Sequence, residues 1–124
     1  MAHRIAILAQ DLIWSDRLAR AVDAAGATPA RSTTASGFDA ALADADFAIV
    51  DMTATAYDAL EAIKRAHVAG VRVLAVGQHD DIDLRKRALA CGAERVFAYR
   101  KMFEDGPATI ASWMSRPLAG TPAR

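Results

Sequence analysis

Three times along this chain a helical pattern ends in glycine and a β-like apolar run follows at once. The segments are Ala25-Gly26-Ala27, Ala69-Gly70-Val71 and Cys91-Gly92-Ala93. Glycine just after the last helical residue adopts the left-handed conformation without a Cβ penalty, so each segment predicts the end of a helix. The repeated order of helix, glycine and strand indicates an alternating α/β fold.

The apolar runs predict five strands, at residues 4–9, 28–31, 47–51, 71–76 and 95–99. Three of them are nearly continuous in apolar residues, which is typical of parallel strands buried on both faces. A helical period follows each strand, and Gly106-Pro107 is predicted to open the last helix. Short links between alternating strands and helices imply a parallel sheet with right-handed crossovers and helices on both faces.

Length and composition limit the class of protein. The 124 residues suit one domain, and fifteen basic against fifteen acidic residues argue against direct binding to nucleic acid or anionic lipid. The single cysteine, Cys91, cannot form an internal disulfide, and no apolar run has membrane length, so we expect a cytoplasmic protein. We assign residues 1–115 to the domain and residues 116–124 to a flexible tail or the start of a linker, because Pro117, Gly120 and Pro122 oppose a helix there.

Polar residues collect where the predicted strands end. Asp51 closes the apolar run Phe47 to Val50, Gln10 and Asp11 follow the first strand, Gly77 begins the loop after the fourth, and Arg100-Lys101 follows the fifth. Open parallel sheets bind ligands at the carboxyl ends of their strands. This edge is therefore the predicted functional edge.

From Arg4 to Trp113 the sequence resembles the receiver domain of two-component response regulators, in a degenerate or pseudo-receiver form. Asp51 matches the phosphoacceptor aspartate, and Asp58, Leu60, Glu61 and Lys64 stand in the register of the family's third helix. The resemblance implies a flavodoxin-like (βα)5 three-layer fold, doubly wound, with parallel sheet order 2-1-3-4-5. It also implies a role in a phosphorelay.

Several positions depart from the family's pattern. Asp11 matches the second of its paired acids, which coordinates magnesium, but Gln10 replaces the first. Gly77 stands where receivers carry the switch hydroxyl. Counted from Gly92, Tyr99 occupies the strict position of the family's lysine, and Lys101 lies two residues later. A shift of two keeps the side-chain direction on a strand, so Lys101 would still face the site if the fifth strand were longer.

These departures predict a receiver-like regulatory module for protein–protein interaction in signal transduction, with impaired or absent aspartyl phosphorylation and no enzymatic activity. Phosphoryl transfer depends on positioning and on neutralising charge. In receivers the first acid, the switch hydroxyl and the lysine contribute to both, and this chain lacks the first two and has Tyr99 at the strict lysine position. No cofactor is required, and Mg²⁺ is expected to bind only weakly, through Asp11 and Asp51. Two alternatives stay open: a true receiver phosphorylated on Asp51, and a small metal-dependent enzyme that uses Asp11 and Asp51.

The resemblance also implies a partner-binding face on the fourth helix, fifth strand and fifth helix. The expected partner is a kinase, an output domain or another receiver, including a second copy of this chain. Aromatic and arginine residues on such a face suit an interface anchored by a few hot spots. The residues expected there are Leu84, Arg87, Cys91, Tyr99, Met102 and Trp113, with Arg87 on the rim and Trp113 packed at the margin of the core.

Overall fold

Five strands and five helices alternate along the chain in a computed structural model that describes residues 3–117. The strands are β1 Arg4–Leu8, β2 Thr28–Ser32, β3 Phe47–Asp51, β4 Arg72–Gly77 and β5 Ala93–Ala98. The helices are α1 Leu12–Ala24, α2 Ala35–Leu42, α3 Ala59–Val68, α4 Ile82–Cys91 and α5 Tyr99–Ser115. None of the helices in the described range is long and apolar enough to cross a membrane.

The sheet is wholly parallel, with strand order β2-β1-β3-β4-β5. The predicted flavodoxin-like architecture and sheet order are therefore confirmed. β3 lies at the centre, and all five of its residues are buried. Its register places Asp51 beside Val76, one residue before Gly77 at the end of β4.

The side chains of the strands alternate between two apolar layers. On one face of the sheet, α2, α3 and α4 cover a cluster that includes Phe38, Val50 and Ile63. On the other face, α1 and α5 cover a cluster that includes Ile49 and Trp113. This alternation is what a period of two produces when both faces of a strand are buried.

The three glycines predicted to end helices all have a positive φ, of 90°, 82° and 119°. That prediction is confirmed. At Gly92 the backbone also lies very close to a neighbour, since an added Cβ would lie 2.4 Å from Cγ of His67. A side chain at this position would therefore collide with α3 as well as force a left-handed backbone.

The fifth strand is shorter at its carboxyl end than the sequence indicates. β5 ends at Ala98, and the helical segment begins at Tyr99, where the sequence predicts the last strand residue. Asp105 interrupts this segment with φ of −144° and ψ of 33°, just before Gly106-Pro107. α5 is thus a short first part and a longer second part, and the second part opens where the sequence predicts the last helix.

Candidate functional site

The carboxyl edge of the sheet brings the side chain of Asp51 into a hydrogen-bond cluster. Asp51 is only 2% exposed. Its Oδ1 accepts hydrogen bonds from the Thr53 amide at 3.1 Å, from the Thr53 hydroxyl at 3.0 Å and from the Tyr99 hydroxyl. A buried carboxylate is costly unless such donors satisfy it, so these contacts explain how Asp51 is tolerated there.

Tyr99 joins this cluster from the first residue of α5. Its hydroxyl lies beside the hydroxyl of Thr53, which donates to the same oxygen, and its ring packs on Trp14 with centroids 4.8 Å apart. Burial raises the pKa of the Tyr99 hydroxyl, and the hydrogen bond to Asp51 raises it further. The hydroxyl therefore stays protonated at neutral pH and acts as a donor to Asp51.

Tyr57 fixes the backbone of the same strand end. Its buried hydroxyl lies 2.7 Å from the carbonyl oxygen of Asp51 and 3.2 Å from that of Leu8. Burial raises the pKa of Tyr57, and the charge of Asp51 adds to the effect. Tyr57 thus ties the ends of β1 and β3 together beneath the cluster.

Gln10 and Asp11, the residues of the expected acidic pocket, both accept hydrogen bonds from backbone amides through their side-chain oxygens. Oε1 of Gln10 accepts from the amides of Thr55 at 2.8 Å and Ala56 at 3.1 Å, so it anchors the loop after β3. Oδ1 of Asp11 accepts from the amides of Ile13 at 2.8 Å and Trp14 at 3.1 Å, as the N-cap of α1. Both side chains therefore have structural contacts in this arrangement.

Oδ1 of Asp51 and Oε1 of Gln10 are not free to bind a divalent cation in this arrangement. Three donor groups point their hydrogens at Oδ1 of Asp51, whereas Mg²⁺ requires free oxygen ligands in near-octahedral geometry. The neutral amide oxygen of Gln10 already accepts two hydrogen bonds. Across residues 3–117 there is no group of three or more His, Cys, Asp or Glu side chains that could hold a metal. The arrangement shown is a hydrogen-bonded cluster.

Gly77, the expected switch position, lies against Met52. A Cβ built on Gly77 would lie 2.9 Å from Cε of Met52, which is closer than side chains approach without a shift. Met52 is itself buried. A serine or threonine at this position would therefore require Met52 to move.

Lys101 does not reach the site, and the interpretation based on a longer strand is wrong. Because β5 ends at Ala98, Lys101 lies in α5 instead of on a strand. Its Nζ lies 3.5 Å from Oδ2 of Asp105 in an exposed pair. Of the two candidates for the lysine position, Tyr99 is the one that contacts Asp51.

Two residues of the expected interaction face are buried: Met102, which was expected on the surface, and Trp113, which was expected at the margin of the core. Met102 is 4% exposed and Trp113 is 3% exposed, and both pack in the layer beneath α1 and α5. The Trp113 ring lies edge-on to Phe47, with centroids 4.9 Å apart. Neither side chain is available on the surface, because the apolar stripe of α5 faces the sheet.

The other members of that face have different environments. Leu84 and Cys91 are half-buried and pack toward the cluster beneath α4, and Arg87 is exposed, with Nη1 3.8 Å from Oδ2 of Asp83. The side chains of Ile82 and Leu89, which the sequence analysis did not include, are exposed by 62% and 45%. They are seven residues apart and so share the outward side of α4.

Thr53 is the site residue that the sequence analysis missed. It supplies two of the three donors to Asp51. The spacing of Asp51 and Thr53 could have predicted this contact, because an aspartate often accepts a hydrogen bond from the amide two residues later, in an Asx turn. Trp14, which packs on Tyr99, was not predicted as a site residue either.

Solved structures of response regulator receiver domains are similar to this chain. The BeF3-activated receiver domain of DrrB matches with a TM-score of 0.82 and 14% identity, over 94% of this chain and 100% of that one. A putative response regulator from Chloroflexus aurantiacus J-10-fl matches with a TM-score of 0.81 and 16% identity, again over 94% and 100%. The chain has the receiver fold.

A response regulator from Burkholderia pseudomallei, solved with a phosphorylated aspartic acid, a calcium ion and citrate, extends this likeness. It matches with a TM-score of 0.71 and 13% identity, over 91% of this chain and 73% of that one. No protein-family model matches the sequence, and no curated protein does. At these identities the receiver likeness is one of fold, so function must be argued from the residues of this chain.

Proposed function

We propose that this chain is a receiver-like signal-transduction domain that works in the cytoplasm as a regulatory protein–protein interaction module, with impaired or absent phosphorylation of Asp51. The supporting observation is the hydrogen bond from Tyr99 to the Asp51 carboxylate. At the position matching the family's lysine, this chain places a neutral phenol instead of a cation. A phenol with a raised pKa donates a hydrogen bond but does not neutralise the charge of a phosphoryl group.

The remaining positions support the same proposal. Mg²⁺ neutralises charge in phosphoryl transfer, and in this chain Oδ1 of Asp51 already accepts three hydrogen bonds while Gln10 replaces an acidic ligand. Gly77 supplies no hydroxyl, and Cε of Met52 lies only 2.9 Å from the place where an added Cβ would stand. Each of these changes removes a different contribution to the same transition state, so we expect their combined effect to be large.

A true phosphoacceptor receiver is the second candidate. Its support is the position of Asp51 at the end of β3 in a fold that matches structures described as BeF3-activated and as carrying a phosphorylated aspartic acid. In that case the hydroxyls of Tyr99 and Thr53 would have to move away from Oδ1 before the carboxylate could attack. The metal-dependent enzyme has no comparable support, since Asp11 caps α1 and Oδ1 of Asp51 accepts three hydrogen bonds.

Intact-mass measurement after incubation with acetyl phosphate and Mg²⁺ separates the two receiver candidates. We expect no phosphoryl adduct on the wild type under conditions that label an active receiver in a parallel sample. A triple variant, Gln10→Asp with Gly77→Ser and Tyr99→Lys, restores the family's residue types and serves as the matched gain-of-function sample. An adduct on the wild type that is lost in Asp51→Asn would overturn the proposal in favour of the second candidate.

The outward side of α4 is the surface we propose for partner docking. Only Ala88 of this helix is fully buried, and Ile82 and Leu89 expose apolar side chains on either side of Arg85 and Lys86. An apolar pair with a basic centre suits a partner that presents apolar side chains around an acidic group. A second copy of this chain, a kinase and an output domain are the candidate partners.

Sedimentation at high protein concentration tests the case of a second copy. We expect the wild type to self-associate and Leu89→Asp to be monomeric, whereas Val68→Asp should leave association unchanged. Val68 is a suitable control because it is 78% exposed and lies on α3 instead of α4. A monomeric wild type would exclude the homodimer, and a dimer unaffected by Leu89→Asp would place the interface elsewhere.

A further inference from the structure

An open groove lies between the start of α1 and the start of α5, beside the Asp51 cluster. Its volume is about 410 Å³, and it is lined by Asp11, Ile13, Trp14, Arg17, Tyr99, Arg100 and Phe103. This volume lies within the range of about 300–1,000 Å³ that is usual for small-molecule pockets. The groove requires a separate explanation, because the Asp51 cluster uses only the hydroxyl of Tyr99.

The walls of the groove are aromatic and apolar. Trp14 and Tyr99 pack on one another with an angle of 34° between their rings. Phe103 and Ile13, which also line it, are exposed by 62% and 73%. Large apolar side chains clustered in this way cost free energy in water, so they favour an apolar ligand surface.

Two guanidinium groups make the groove cationic. The Arg17 guanidinium carbon lies 4.3 Å from the centre of the Phe103 ring, and among the described residues no carboxylate lies within 4.0 Å of the Arg17 guanidinium nitrogens. Arg100 is paired with Glu104 at 3.2 Å, but both side chains are exposed, so a ligand can replace that contact at little cost. The one acid in the lining, Asp11, is engaged with backbone amides.

We propose that this groove binds a small molecule that joins an aromatic ring to a carboxylate. The ring packs against Trp14 and Phe103, where aromatic pairs gain stability beyond their buried area. The carboxylate pairs with the guanidinium groups of Arg17 and Arg100, which match carboxylate geometry. The ligand also contacts the ring of Tyr99, whose hydroxyl bonds Asp51, so binding is expected to be transmitted to the Asp51 cluster.

The test is a titration of the ¹⁵N-labelled protein with two matched pairs of compounds, followed by amide chemical shifts. Indole-3-acetate and salicylate carry the carboxylate, and indole-3-acetamide and salicylamide are their neutral counterparts. We expect at least one carboxylate to give saturable shifts centred on residues 11–17 and 99–103, and its neutral counterpart to bind about tenfold more weakly. Shifts at Thr53 would report the connection to Asp51.

Arg17→Gln and Arg20→Gln are the matched variants. Both residues are exposed on α1, but Arg20 does not line the groove and pairs with Asp16. Arg17→Gln should weaken carboxylate binding about tenfold, and Arg20→Gln should leave it unchanged. The proposal is overturned if neither carboxylate gives saturable shifts in this region, if the acid and amide bind equally, or if the two arginine variants bind alike.

Discussion

Replacing Tyr99 by phenylalanine should destabilise the fold by about 2 kcal/mol, because it removes a donor from a buried carboxylate. A hydrogen bond to a charged group contributes about 1.5–3 kcal/mol. Thr53 still offers Asp51 its amide at 3.1 Å and its hydroxyl at 3.0 Å, so the carboxylate is not left unsatisfied and the loss stays in the lower part of that range. The phenylalanine ring keeps the packing on Trp14.

Urea denaturation followed by circular dichroism measures this loss, since a single domain of this size is suited to two-state treatment. A double-mutant cycle of Tyr99→Phe with Asp51→Ala should show a coupling of about 1–2 kcal/mol between the two side chains. The matched control is Tyr57→Phe, whose hydroxyl contacts the backbone carbonyl of Asp51 and not its carboxylate. The coupling in the control cycle should stay within about 0.5 kcal/mol.

A Tyr99→Phe variant as stable as the wild type would contradict this account. That result would mean that water satisfies the Asp51 carboxylate equally well and that the tyrosine hydroxyl contributes nothing net. Equal coupling in the two cycles would mean that both tyrosines act through the backbone. In either case the hydrogen bond from Tyr99 would not stabilise the Asp51 carboxylate, and only the missing positive charge at this position would still count against phosphorylation.

Two further predictions concern pH and backbone conformation. Burial raises the pKa of both tyrosines, Tyr57 and Tyr99, so their contribution to stability is fully present below the unfolded value of about 10 and is lost as pH rises above it. Tyrosinate absorbance should therefore appear only together with alkaline unfolding, and a tyrosine that ionises near pH 10 in folded protein would contradict this. Gly92→Ala should cost more than about 2 kcal/mol in urea denaturation, because it adds a collision with His67 to a left-handed backbone. Gly26→Ala should cost only about 1 kcal/mol, since nothing lies within 4 Å of its added Cβ, and equal losses would show that the collision is relieved freely.

The sequence was sufficient for the sheet because its signals are local and repeated. Buried apolar runs and helix-ending glycines recur along the chain, and Asp51 follows directly from the end of one such run. The same pattern misplaced the end of β5. Tyr99 continues the apolar run by one residue past Ala98, but the backbone is helical from Tyr99 onward. Whether Lys101 or Tyr99 faces Asp51 depended on that single turn.

The interaction face could not be assigned from the resemblance, because burial depends on packing between helices. The sequence pattern shows that Met102 is apolar, but only its packing in the layer beneath α1 and α5 shows that it is buried. The exposure of Ile82 and Leu89 likewise depends on how α4 is rotated on the sheet. Thr53 is different, since an Asx turn is a local feature that a closer examination of the Asp51 segment would have identified.

The non-helical backbone at Asp105 separates the first part of α5, which carries Tyr99, from the second part. Pro107 has no amide hydrogen to bond the carbonyl of Phe103, four residues earlier, so the backbone ladder between the two parts of α5 is broken. Gly106 lies close to α1, since a Cβ added to it would lie 3.1 Å from Cβ of Ala21, and this contact fixes the point of rotation. Movement of residues 99–104 would shift the Tyr99 hydroxyl and the Phe103 wall of the groove together and would withdraw Met102 from its buried layer, while the second part of α5 could stay packed. Hydrogen exchange would register this as a patch of fast-exchanging amides ahead of a protected helix.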